Sequence, residues 1–179
     1  MHAKTLILHI GAHKTGSTTI QEAFASGSVA LQQSDILYPA RLDHNYLRAD
    51  FTTHETGVPL PKRGPRQLGF DALAEKIKDS SADYVVLSAE YFENLNPEVM
   101  KDVVDRYFAP HVDRIEVICY LRPHMPRLLS GYAEALKIGW FQGSLDAFWD
   151  QSLAEQDLLY APRFTQWQNV FGNMFILRP

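Results

Sequence analysis

Residues 6–21 read LILHIGAHKTGSTTIQ, a stretch that few arrangements can satisfy. Leu6, Ile7, Leu8 and Ile10 form a short apolar run suited to a buried strand, the segment from Gly11 to Gly16 interrupts it, and Ser17, Thr18 and Thr19 open a helix. A strand that turns tightly into a helix aims its loop amides and the first unpaired helix amides at one spot, where the helix dipole also favours negative charge. An anion site is expected there.

The rest of the chain alternates between the same two periods. Apolar spacing predicts strands at 36–39, 84–88, 115–121 and 174–177, and helices at 18–24, 67–79, from Pro97 onward, 126–138, from Ser144 through Trp149, and from Pro162 through Phe171. Gly27 is expected to end or kink the first helix before a further turn over 29–33, and Asn96-Pro97 is an N-cap followed by a first-turn proline. Phe70 and Leu73 should face the core, as should the stripe Met100, Val103, Val104, Tyr107 and Phe108. Residues 41–69 lose periodicity and include Lys62-Arg63-Gly64-Pro65-Arg66, which reads as a basic, flexible connection able to act as a lid. The tryptophans read as packing residues, and Arg127 and Lys137 as solvated helix charges.

Strands this apolar, separated by helices, predict an α/β domain of three layers: a central parallel sheet of five strands with helices on both faces, P-loop NTPase-like. Right-handed crossovers then bring every strand's C-terminal end to one edge, where Gly11, Glu90 and Arg122 should emerge together. The 179 residues fit one domain, and a net charge of -4 argues against an extended nucleic-acid-binding surface. Cys119 is alone in an apolar run, which excludes an intrachain disulfide and suits a buried thiol in a reducing compartment. The first strand starts almost at Met1, with no room for a signal peptide, and no apolar run approaches the roughly 20 residues of a membrane span; the expectation is a cytoplasmic protein. His9 and His13 are four apart but fall in a strand and a loop, so they do not converge on a metal as they would on a helix.

The loop departs from G-x-x-x-x-G-K-[ST] at one informative place. Ser17 stands where that motif has lysine, Thr18 takes the hydroxyl position, and the nearby cation, Lys14, precedes the second glycine. In this it resembles the 5′-phosphosulfate loop of the sulfotransferases that use 3′-phosphoadenosine-5′-phosphosulfate (PAPS). A second segment, YLRPHMPRLLSGYAEALKIG over 120–139, puts Arg122 at a strand end and Ser130 one or two turns into the next helix, a pair able to hold one phosphate from two sides. It looks like the family's 3′-phosphate site. The resemblance implies that Gly11, His13, Lys14, Thr15, Gly16, Ser17, Thr18, Thr19, Arg122 and Ser130 bind PAPS, with no metal required. It also implies that Lys14 stabilises charge on the leaving oxygen, and that Glu90, just past the third strand, is the general base. His44 is the second candidate for that base, or orients the acceptor. In the family, helices and a closing loop follow the strand that here ends at Arg178-Pro179, so that closing segment is expected to be missing from this chain.

Two other readings stay open on the residues alone. A small-molecule kinase or NTPase of the same fold would want a lysine after Gly16 and an acidic residue to help hold Mg²⁺; Ser17 fails the first requirement and only Glu90 could meet the second. A non-catalytic nucleotide-binding protein would keep the cradle without turnover. For the acceptor, a sugar hydroxyl suits a basic, flexible loop.

Overall fold

A computed structural model describes residues 3–30, 34–61 and 67–179. The elements in order are β1 Thr5–His9, α1 Ser17–Ala25, β2 Ile36–Leu37, α2 Arg48–Thr56, α3 Phe70–Asp79, β3 Tyr84–Ser88, α4 Pro97–Val103, β4 Arg114–Tyr120, α5 His124–Lys137, α6 Leu145–Ala154, α7 Tyr160–Phe171 and β5 Phe175–Arg178. The five strands form one sheet in the order β2-β3-β1-β4-β5, and every pairing is parallel. This is the α/β architecture expected, with the first strand at the centre.

Register sorts the strand residues into two unlike faces. Leu6 and Leu8 lie beside Val85 and Leu87 on one side and Ile115 and Val117 on the other. That face, with Cys119, is sealed by the apolar residues of α2, α3, α4 and α7 in one continuous core. Thr5, Ile7 and His9 align with Tyr84, Val86 and Ser88 and with Arg114, Glu116 and Ile118. Here the cover is thinner, and Ile7, Glu116 and Ile118 stay half-buried. The chain order explains the asymmetry: β1 to β2 runs one way along the sheet, while every later step runs the other way. Right-handed crossovers therefore send α1 to the face opposite the later helices.

Local signals mostly hold. The Asn96 side chain accepts from Glu98 N–H with Pro97 in the first turn, Ser144 accepts from Ala147 N–H, and Phe70, Leu73, Ala74 and Ile77 turn to the core. Helix α4 continues as a wider π-type turn over Val104–Phe108, which keeps Val104 and Phe108 buried.

Other expectations fail. β2 is only two residues long, and the turn expected over 29–33 lies partly outside the described residues, with 28–30 non-helical. Residues 41–61 are not an irregular lid: Asn45–Leu47 forms a 3-10 turn that runs into α2, and Leu47 and Phe51 are each 1% exposed. Those two apolar residues, four apart, supply a core-facing stripe too narrow to register as periodicity. The basic run from Lys62 to Arg66 lies outside the described residues. Trp167 packs in the core, but Trp140 is 83% exposed. Lys137 is exposed as expected, whereas Arg127 is buried, because α6 and α7 fold back over α5.

Candidate active site

The loop from Gly11 to Gly16 is built where β1 leaves the sheet. Ala89 N–H donates to His9 O at 3.1 Å and Ile10 N–H to Ile118 O at 2.9 Å, so pairing with β3 and β4 continues past the strand end. The Cys119 thiol then donates to Gly11 O at 2.9 Å, and burial pushes its pKa up, as an inert buried thiol requires. Gly11 has φ 79°, and a Cβ there would stand 2.9 Å from the Glu90 Cα, so two loops meet at a point only glycine permits. Gly16, at φ 87°, turns the chain into α1. Lys14 is also left-handed, at φ 67°, a conformation that a side chain disfavours by roughly 1–2 kcal/mol. The Thr15 hydroxyl braces the loop internally, donating to Ala12 O at 2.7 Å. Thr18 and Thr19 are exposed in the first turn of α1, where Thr19 N–H donates to Gly16 O at 3.1 Å.

Glu90, Gly11 and Arg122 emerge on one sheet edge, as the topology demands. Glu90 opens a 3-10 turn, Glu90–Asn94, directly after β3. One carboxylate oxygen accepts a hydrogen bond from the Ser17 hydroxyl, and the other stands 3.4 Å from His13 Nδ1. The hydrogen bond to His13, together with that from Ser17, lowers the Glu90 pKa against the opposing effect of burial, and the same contact with Glu90 raises that of His13. The Ser17 side chain, expected on the anion, is instead buried and turned to Glu90.

Lys14 reaches across to α5, where its Nζ stands 3.2 Å from Glu134 Oε2. Arg122 Nη1 donates to Lys14 O at 2.8 Å, so the arginine expected at the far phosphate also holds the loop. Ser130 is one helical turn before Glu134, on the face of α5 that looks toward the loop. Lys14 and Arg122 thus meet although they come from two separate segments, with Ser130 on the α5 turn before Glu134.

His44 is apart from this group and wholly buried. His44 N–H donates to Ser88 O at 2.8 Å and Ser88 N–H donates back to His44 Nδ1 at 3.1 Å, an extension of β3 made by a side chain. Tyr38 packs edge-on at 5.1 Å, and His44 Nε2 is a buried atom with no hydrogen-bond partner. Desolvation lowers its pKa to about 4. The flexible acceptor-facing histidine expected from the sequence is therefore a fixed, neutral anchor. His9 is similar: its Nδ1 lies 2.7 Å from Ser88 Oγ and burial lowers its pKa to about 4.

Three charged residues of the site carry no sequence signal that marks them: Glu93, Glu134 and Arg163. Glu93 accepts the His13 backbone N–H at 2.9 Å and is bonded by Arg163 of α7 at 3.1 Å. Glu134 and Arg163 sit on amphipathic helices where any polar residue would satisfy the pattern. A wide cleft of roughly 1560 Å³ is lined in part by Tyr38, Arg41, Asn45, Tyr46, Arg48 and Lys76. Asn45 accepts from Tyr91 N–H at 3.1 Å and the Arg48 guanidinium lies 4.6 Å from the Tyr91 ring centre, tying the cleft to the residue beside Glu90.

Fold and site together define a parallel α/β domain with an anion-type loop after its central strand. No protein-family model matches the chain, and no curated protein matches it. Among solved structures, a sulfotransferase from Alicyclobacillus acidocaldarius is similar over 98% of this chain and 73% of its own, at 14% identity and a TM-score of 0.58. At that identity the likeness is one of fold, and the fold is sulfotransferase-like. Among the described residues, no helix is long and apolar enough to cross a membrane.

Proposed function

We propose that this chain is a sulfotransferase that takes the sulfuryl group of PAPS and transfers it to an acceptor hydroxyl, with carbohydrate the favoured acceptor class. The observation that carries this reading is the meeting of Lys14, Arg122 and Glu90 at the C-terminal edge of one parallel sheet. The residues present suit a polyanionic nucleotide: two cations meet there, and Thr18 and Thr19 are exposed at the N-terminus of α1. Arg122 has five N–H donors and gives one to Lys14 O, which leaves others for a phosphate. Ser130 lies on α5 one turn before Glu134, the partner of Lys14.

PAPS, when bound, supplies an activated sulfuryl group. Lys14 brings positive charge to the phosphosulfate end, where negative charge builds during transfer. Glu90 holds the proton released by the acceptor. Both of its oxygens already accept a donor, but a carboxylate has about four lone-pair sites, and at 29% exposure Glu90 remains reachable. His13 and Ser17 keep it ionised and pointed. The cleft beyond Tyr91 supports an extended acceptor, since it exceeds the roughly 300–1,000 Å³ of small-molecule pockets and mixes tyrosine faces with amide and cationic groups.

Calorimetry with three nucleotides tests the reading. Adenosine 3′,5′-bisphosphate should bind more tightly than ADP or AMP and without Mg²⁺, because Arg122 and Ser130 discriminate only when a 3′-phosphate is present. Equal affinities, or binding that requires Mg²⁺, would favour a phosphotransferase instead.

A further inference from the structure

Glu93 carries its charge where charge is expensive. Its side chain is fully buried, three residues beyond Glu90 on the same 3-10 turn, and a carboxylate in such a place must be paired and hydrogen-bonded to be tolerated. Oε1 accepts the His13 backbone N–H at 2.9 Å, and Oε2 accepts from Arg163 Nη1 at 3.1 Å. Arg127 Nη2 stands 3.9 Å from Oε1. Both arginines also reach the Asp157 carbonyl between α6 and α7, so the carboxylate is wedged between the loop and two helices.

The loop is gripped again two peptides further on. Arg122 donates to Lys14 O at 2.8 Å, and the Arg122 carbonyl accepts the Tyr160 hydroxyl at 2.7 Å. The Tyr160 ring centre lies 5.4 Å from the Arg127 guanidinium. These contacts close into a circuit: Glu93 holds His13 N–H, Arg122 holds Lys14 C=O, and both lead to the start of α7. Between the two grips sits Lys14 in its left-handed conformation. A side-chain-bearing residue stays there only where its surroundings over-determine it.

We propose that Glu93 is a positioning residue which, with Arg122, clamps the His13–Lys14 backbone in its left-handed turn and so aims Lys14 and the loop amides at the anion. Being fully buried, Glu93 does not meet the anion itself. The two carboxylates of one turn therefore divide by exposure, Glu90 facing the chemistry and Glu93 holding the frame. The identity of the anion rests on the sulfotransferase reading; the clamp does not.

The test is Glu93→Gln, followed by backbone amide exchange and by calorimetry with adenosine 3′,5′-bisphosphate. His13 N–H and Arg163 use separate oxygens of Glu93, and glutamine sets an NH2 group against one of those two donors. The His13 amide, held by Glu93 itself, should exchange at least tenfold faster while those of β1 and β4 keep their protection, and bisphosphate affinity should fall at least tenfold. A purely structural Glu93 predicts faster exchange spread evenly over α7 and the sheet, with unchanged affinity in the folded protein, and that result overturns the proposal. If the parent protein does not bind the bisphosphate, the sulfotransferase reading fails while loop exchange still decides on Glu93. Should Glu93→Gln not fold, Arg163→Lys removes the planar fork from Oε2 and should speed exchange of the loop alone; an unchanged loop in that variant overturns the clamp.

Discussion

The Lys14 corner and the His44 corner lie on the same edge of one sheet and are held by opposite means. Around Lys14 the chain is fixed by charge: Glu90, Glu93, Arg122 and Glu134 each bind a loop atom or a loop side chain. Around His44 it is fixed by packing, with Tyr38 against the ring, Leu47 and Phe51 buried just beyond, and paired backbone contacts to Ser88. Their histidines show the difference most plainly. His13 is half-exposed beside two carboxylates and its pKa is raised, whereas His44 is sealed from water and its pKa falls to about 4. Polar fixation suits a place proposed to receive an anion; apolar fixation suits one that must only stay put.

Breaking the polar corner should give the largest effect. Glu90→Gln keeps the shape, removes the basic carboxylate and should lower turnover by roughly 10²- to 10⁴-fold with cofactor binding retained. Steady-state rates beside calorimetry check it, and near-parental turnover would remove Glu90 from the role of base.

Acid should separate the two corners by sign. His44 and His9 have folded values of about 4 against an ordinary 6.5, so between those pH values the unfolded chain binds more protons than the native one. The stability they lend is complete above about 6.5 and falls as pH drops toward 4, by up to about 1.4 kcal/mol per pH unit for each ring. His13 works the other way: its folded value is raised, so its contribution is complete below about 6.5 and fades as pH rises past the folded value. Denaturant midpoints from pH 7.5 to 4.5 should fall with acid, and the fall should be shallower in His44→Asn but not in His13→Asn. An equal slope in parent and His44→Asn would mean that His44 does not titrate as a buried neutral ring.

The smallest effect should come from Glu134→Gln. Lys14 and Glu134 are 32% and 47% exposed, and such pairs are worth about 0.2–1 kcal/mol. Freeing Lys14 should strengthen anion binding by no more than about fivefold, measurable as a lower Kd for the bisphosphate, and weaker binding would show that Glu134 orients the lysine usefully.

The strand-loop-helix at 6–21, the cap at Asn96 and the core stripe from Phe70 to Ile77 were legible because each is decided by near neighbours in the chain: a period, a capping side chain, a glycine-bounded turn. The C-terminal sheet edge that gathers Gly11, Glu90 and Arg122 was legible too, since handedness leaves a parallel sheet little choice. What the tertiary structure alone decided is how charges pair across distance. Ser17 turning to Glu90, Lys14 to Glu134, Glu93 to Arg163 and His44 to Ser88 join residues from 44 to 120 positions apart. Local sequence cannot announce such partners, because a carboxylate on an amphipathic helix reads the same whether it meets water or a lysine; only the packing of α5 and α7 against the loop brings the partner within a few ångströms and makes the charge specific.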